Sequence, residues 1–228
     1  MTSPRVTVVV GAGGALGRAV VARLLAPSTT VVAVDRHLEA LDALPSAVPR
    51  EVADVTDAHD VESLFDRIAS TQGDPAVVVH AVGGFRPGEA ADATAEDYRA
   101  MLDLNLNSAW WVSRAAAARM RRAGHGTIVL VAARNGLEAI AGAAAYSVSK
   151  AAVVHLTRVL DAELQASGVR VNAIVPRLID TPANRAAMPE AVMARAVSPE
   201  AIAEVIAFLV SDQAAPVVGA VIPVYGAG

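Results

Sequence analysis

The feature that most constrains this chain is an alternation. Short, unbroken apolar runs rich in β-branched residues recur along it: VTVVV (6–10), TVVAV (30–34), AVVVH (76–80), TIVLV (127–131), VRVNAIV (169–175) and AVIPV (220–224). Between them, apolar residues return with helical spacing over 15–25, 61–70, 96–122, 144–167 and 199–211. Strands that are apolar on both faces must be covered on both faces, and parallel strands acquire that cover from crossover helices. The pattern therefore predicts a doubly wound α/β fold, a parallel sheet with helices on either side. At 228 residues, with no internal repeat and no linker-like segment, the chain reads as one domain over 1–228.

Composition removes several function classes. Hydrophobic residues make up 54% of the chain and charged ones only 18%, which argues against disorder. Glycine, proline or charge interrupts every apolar run before the roughly 18 residues that a membrane span needs. The start, MTSPRVTVVVGAGG, leads into a glycine turn rather than a cleavage site, so a mature, soluble, cytoplasmic protein is expected. Cysteine is absent, which excludes disulfides and thiolate chemistry, and the five histidines show no ligand spacing, so no metal is expected. A net charge of −4 without a basic stripe gives no footprint for nucleic acid, and a small-molecule substrate is the expected partner. Arg119, Arg121 and Arg122 close a helix, where cations suit the dipole.

After the first apolar run comes GAGGALGRA, residues 11–19. Glycines between a strand and a helix let the backbone turn tightly and approach a pyrophosphate, whose charge the helix N-terminus stabilises. Gly11, Gly13 and Gly17 are the candidates. The second run ends at Asp35, a carboxylate placed to accept ribose hydroxyls and to repel a 2′-phosphate. This favours NAD over NADP, although a guanidinium at Arg36 offers a phosphate partner were Asp35 turned away. Asp54, in EVADVTD, follows a third short strand and is either a contact at the adenine edge or a helix N-cap.

Lys150, in AAYSVSKAAV, is the only lysine among 19 basic residues. It stands four positions after Tyr146, so on a helix the phenol and the ammonium share one face. A phenol with a pKa of about 10 becomes a useful proton carrier when a nearby cation favours the phenolate. An arginine fork does not replace a compact ammonium, which explains the retention of one lysine in an arginine-biased chain.

Taken together, the glycine turn at 11–17, Asp35, YSVSK at 146–150 and VNAIVP at 171–176 resemble the short-chain dehydrogenase/reductase family across essentially the whole chain. The resemblance implies a seven-stranded Rossmann-type sheet in the order 3-2-1-4-5-6-7 and NAD(P)H-dependent hydride transfer to or from a small carbonyl, quinonoid or imine-like substrate. It implies Tyr146 as proton donor or acceptor, with Lys150 holding the nicotinamide ribose and lowering the tyrosine pKa. Asn105 matches the helix asparagine of the proton relay, Thr181 the threonine beside the carboxamide, and Pro176 the proline ending the sixth strand. The implied cofactor contacts are Gly11, Gly13, Ala15, Leu16, Gly17, Asp35, Arg36, Asp54, Val55, Ala81, Gly83, Tyr146, Lys150, Pro176 and Thr181. A homodimer or homotetramer built on the long helices is also implied; Trp110 and Trp111 suit either that interface or the core.

The chain departs from the family pattern in three places. The family's serine, thirteen residues before the tyrosine, is Ala133 here; the second glycine of the turn is Ala15; and the Asn-Asn-Ala-Gly after the fourth strand reads HAVG, 80–83. His80 reads as a packed strand-end residue. A missing polarising donor costs on the order of a hundredfold where the reacting oxygen depends on it. Either the substrate needs no such donor, or Arg134 or Asn135 supplies it, or the protein binds cofactor without turnover; a redox-neutral dehydratase or cyclase using the same pair is a further alternative. Ser147 and Ser149 are expected to point away from Tyr146. Dihydropteridine reductases share the GALG turn, the missing serine and a segment like DTPANRAAMPEA, 180–191. The expected substrate pocket draws on loops 82–94 and 176–197, through Phe85, Arg86, Leu178 and Met188, with Ala133, Arg134 and Asn135 facing it.

Overall fold

Seven strands form one parallel sheet in the order β3-β2-β1-β4-β5-β6-β7 in the computed structural model, which describes residues 5–226. The strands are β1 (Arg5–Val10), β2 (Thr29–Asp35), β3 (Arg50–Val52), β4 (Val77–His80), β5 (Gly126–Val131), β6 (Val169–Pro176) and β7 (Val221–Val224). The helices are α1 (Ala15–Leu24), α2 (Ala58–Thr71), α3 (Ala95–Leu102), α4 (Ser108–Ala123), α5 (Ala144–Leu164), α6 (Pro182–Ala187), α7 (Glu190–Met193) and α8 (Pro199–Val210). The strand order is the one the family resemblance implied.

The unbroken apolar runs are explained by the two layers they separate. Val8, Val32, Val78, Ile128 and Val171 pack with α2, α4 and α5 through Phe65, Ile68, Val112, Met120 and Val153. Their neighbours along the same strands, Val9, Val31, Val79, Val129 and Ile174, pack with α1 and α8 through Val20, Val21, Ile202 and Ile206. Side chains alternate across a strand, so each run feeds both layers. The sheet order reverses between β1 and β4, leaving a crevice at the carboxyl ends of these strands.

One expected helix divides. The pattern over 96–122 is α3, then a π-helical turn over Asp103–Asn107, then α4. Thr94 and Asp97 form a capping box that starts α3, and Gly124, with φ of 75°, ends α4 in the left-handed conformation. The wide turn accommodates Asn105, whose side chain bonds to the loop after β4 and to α5. π-turns occur often at functional sites because they redirect a side chain without breaking the helix.

Candidate functional site

At the β1–α1 turn, Gly11 and Ala12 donate their N–H groups to the Val34 carbonyl and Gly14 donates to Gly11. Gly11 has φ of 82°, which disfavours a side chain. A Cβ on Gly17 would lie 2.0 Å from the Gly11 carbonyl oxygen, so this glycine permits the helix to sit against its own turn. Ala15 begins α1, and its methyl group is accommodated where the family pattern has glycine. Arg18, a residue the sequence reading passed over, donates to the Gly13 carbonyl at 2.7 Å and braces the turn.

The Asp35 carboxylate is fixed by backbone donors: Gly13 N at 2.9 Å on one oxygen and Arg36 N at 2.8 Å on the other. Each oxygen retains acceptor capacity. Arg36 turns to Asp54, 3.2 Å away, instead of to Asp35. Hydrogen bonding from Thr56, with the Arg36 charge contributing less, holds the Asp54 carboxyl below its usual range. A cavity of about 260 Å³ opens between these groups, lined by Gly11, Gly14, Asp35, Arg36, Asp54, Val55, Ala81 and Gly83. Leu16 lies buried under the turn. The first turn of α1 has no side-chain cap and no acidic residue, as suits a helix end that receives an anion. These residues fit a dinucleotide.

At the far end of the crevice, α5 presents Tyr146 and Lys150 on one face. Lys150 is 4% exposed, and its Nζ donates to the Val131 carbonyl, the last of β5, at 3.0 Å. Asn105 is fully buried; its Oδ1 accepts from Gly84 N at 3.0 Å, and its Nδ2 donates to Gly84 O and to Ser149 Oγ, each at 3.1 Å. Gly83 fits closely between them, since a Cβ there would lie 2.8 Å from Lys150 Nζ and 3.0 Å from Asn105 Oδ1. The Phe85 ring meets Tyr146 edge to face with centroids 5.0 Å apart.

One expectation requires correction. Burial pushes the Tyr146 phenol up to about 12, and the ammonium four residues on does not offset it. Lys150 is held against Val131 and is itself pushed down to about 8 by burial. Ser149, to which the sequence reading gave no role, is buried, donates to the Tyr146 main-chain carbonyl at 2.7 Å and accepts from Asn105. A serine three residues past Tyr146, on the inward helical face, was the available signal for it.

Ala133 is buried just past β5 and leads into a 3₁₀ turn over Arg134–Gly136. Arg134 is committed to Glu138, at 2.7 Å through Nε, and lies over the Tyr225 ring. Asn135 approaches Ser147 at 3.5 Å. Arg86 pairs with Asp97 at 3.1 Å. Thr181 caps α6 by accepting from Asn184 N at 3.1 Å, and buried Pro176 ends β6 opposite Val224. Leu178 is half-buried and joins Val197 through its carbonyl, while Met188 lines a cleft with Asp180, Arg185 and Met193 rather than with the tyrosine.

The sequence model of a family described as enoyl-(acyl carrier protein) reductase matches residues 11–226. A galactitol 2-dehydrogenase of Rhizobium johnstonii is 35% identical, covering 95% of this chain and 92% of its own. A cis-4-hydroxycyclohexanecarboxylate dehydrogenase of Sinomonas cyclohexanicum is 37% identical, covering 97% and 95%. A solved short-chain type dehydrogenase/reductase from Mycobacterium ulcerans, 31% identical, matches with a TM-score of 0.90 over 98% of this chain and 90% of that one.

The chain belongs to the short-chain dehydrogenase/reductase family. It is an oxidoreductase of that type, in a family that uses NAD(P). Among the described residues, no helix of this short-chain dehydrogenase/reductase is long and apolar enough to cross a membrane.

Proposed function

We propose that this protein is an NAD(H)-dependent dehydrogenase/reductase that interconverts a small secondary alcohol and its ketone, with Tyr146 carrying the proton. The observation that supports this reading most is the pairing of Tyr146 with a buried Lys150 on one face of α5, beside the carboxyl end of β5 and across Gly83 from Asn105. The nicotinamide, when bound, supplies or takes the hydride. Gly11, Gly13, Ala15 and Gly17 would pass its pyrophosphate, and Asp54, Val55 and Ala81 its adenine. Pro176 and Thr181 would border the carboxamide, and Lys150 would hold the ribose beside it.

The chain's own chemistry follows from burial. A phenol at about 12 is protonated near neutrality and is ready to donate its proton to a substrate oxygen that gains charge as the carbon is reduced. In the reverse direction the phenol must first give up its proton, and the Lys150 cation lowers the cost of forming the phenolate that then accepts the alcohol proton. Phe85 screens the phenol from water on one side. Ala133 offers no hydroxyl and Arg134 is held by Glu138, so the reading assigns polarisation of the substrate oxygen to Tyr146 alone. Ketones that reduce without a second donor, and quinonoid or imine-like centres, suit such a site. The names of the relatives, a polyol and a hydroxy-acid dehydrogenase, make alcohols the first class to try.

NAD is the preferred cofactor because three backbone N–H groups, those of Gly13, Arg36 and His37, hold Asp35 in place, and Arg36 is occupied by Asp54. A 2′-phosphate would meet a fixed carboxylate. A homodimer or homotetramer is proposed on the outer face of α4 and α5, where Trp110 is 48% exposed beside a cleft of about 630 Å³. The test of the function is direct. Purified protein with NADH is offered cyclic ketones, hydroxyketones, quinonoid compounds and imines, and the nicotinamide absorbance is followed. Loss of absorbance with at least one class is expected; no loss with any of them refutes the reading.

A further inference from the structure

The polar atoms behind the catalytic pair do not balance. The Lys150 ammonium has three N–H donors, is 4% exposed, and places one donor on the Val131 carbonyl at 3.0 Å. On the adjacent strand, His80 is 1% exposed and its Nε2 has no hydrogen-bond partner. His80 ends β4 in register with Leu130 of β5, the residue before Val131. It shares the face of Val78, two residues earlier, against which α4 and α5 pack. Lys150 has donors beyond the one on Val131, of which the ribose would take a share, and a buried imidazole nitrogen without a partner lies on the adjacent strand.

We infer that His80 is the positioning residue of Lys150: its Nε2 accepts from the ammonium through one bridging water and keeps the buried lysine charged and aimed. This deepens the proposed function and rests on Lys150 serving Tyr146. An unpaired buried acceptor is costly, so the arrangement requires a use for it. Burial, with the Lys150 charge adding to it, pushes His80 down to about 3, so the imidazole is neutral near neutral pH, and its Nδ1–H tautomer presents Nε2 as an acceptor. It cannot store the proton that Lys150 carries. Burial alone pushes Lys150 to about 8, and an acceptor for the ammonium raises its titration from there.

The remaining neighbours supply no competing charge. Tyr146 on α5 is a neutral phenol near pH 7, and the Asn105 amide of the π-turn is committed to Gly84 and Ser149. β1 and β5 contribute Val10 and Leu130 at this level, and Asp103 of the π-turn is exposed.

Because Lys150 is the only lysine, its protonation can be read without activity. The full-length protein is trace-labelled with acetic anhydride across a pH series, and acetylation of the Lys150 peptide is measured by mass. The wild-type midpoint is expected about one pH unit above the value near 8 that burial alone sets. His80→Leu, which removes the acceptor, is expected to lower the midpoint by about one pH unit, a tenfold change in the charged-to-neutral ratio. His80→Gln, which restores an acceptor, is expected to return it to within about 0.3 unit of wild type. Should the leucine variant fail to fold by circular dichroism, His80→Met takes its place. An unchanged midpoint without the acceptor, or an equal fall in the glutamine variant, overturns the inference. If Tyr146→Phe proves fully active, the catalytic reading falls separately, and the labelling still reports whether His80 contacts Lys150.

Discussion

Gly83→Ala tests how tightly the corner around Lys150 and Asn105 is built. The added Cβ would lie 2.8 Å from Lys150 Nζ and 3.0 Å from Asn105 Oδ1, where ordinary contact begins at 3.4 Å. The ammonium must therefore retreat by about 0.6 Å and the amide by about 0.4 Å. Asn105 resists, because Gly84 N, Gly84 O and Ser149 Oγ hold it, so the displacement falls mainly on the lysine and weakens its bond to Val131. Gly83 does not use a positive φ, so the backbone accepts alanine and stability should change by less than about 1 kcal/mol. A misplacement of about 1 Å costs around a hundredfold in rate, and 0.6 Å is expected to cost ten- to a hundredfold, about 1.4 to 2.7 kcal/mol of barrier. Initial-rate measurement of kcat with NADH and the best substrate, beside thermal melting, separates the two effects. Gly88→Ala is the control, since its Cβ meets nothing within 4 Å. Wild-type kcat in Gly83→Ala would refute the close geometry between Lys150 and Asn105.

Three further outcomes follow from the same site. Burial lowers Lys150 from 10.5 to about 8, so between these values the unfolded chain binds a proton that the folded chain does not, stability rises with pH across this window, and the full cost applies below it. That cost is roughly 3 kcal/mol, and after about 1 kcal/mol for the orphaned Val131 carbonyl, Lys150→Met should melt several degrees higher at pH 7 while losing turnover; a lower Tm contradicts it. Asp35→Ser is expected to reduce the ratio of kcat/KM for NAD over NADP at least about tenfold, because the proposed cofactor site loses the fixed negative charge assigned to the 2′ position, and an unchanged ratio would remove Asp35 from cofactor selection. Ala133→Ser should raise kcat on simple ketones by about ten- to a hundredfold through a second hydrogen bond to the reacting oxygen, whereas no gain would mean that the substrate oxygen does not approach residue 133.

The sheet was legible in the sequence because each strand is a continuous apolar run, and burial on two faces leaves little freedom of interpretation. The order of the strands came through family likeness, since periodicity does not say which strands pair. The turn glycines were legible because backbone geometry restricts the residue types allowed there. The π-turn at Asn105 was not, as one extra residue in a helix leaves the apolar spacing almost unaltered. α6 and α7 escaped a reading that looks for repeated turns, although Thr181 followed by Pro182 is a helix start. The engagement of Arg134 could have been anticipated from Glu138 four residues on, whereas Arg36 and Asp54 meet only through the fold. Spacing alone also suggests that Lys150 makes Tyr146 more acidic; it cannot report that burial acts on both groups and dominates both pKa values.

Tyr146→Phe tests the central claim most directly, because it deletes one hydroxyl and keeps the ring that packs against Phe85. Hydride transfer is followed by nicotinamide absorbance, and NADH affinity by fluorescence titration of the same variant. If the phenol carries the proton, kcat falls by at least about a hundredfold while NADH binding is retained. Turnover at the wild-type rate would contradict the account.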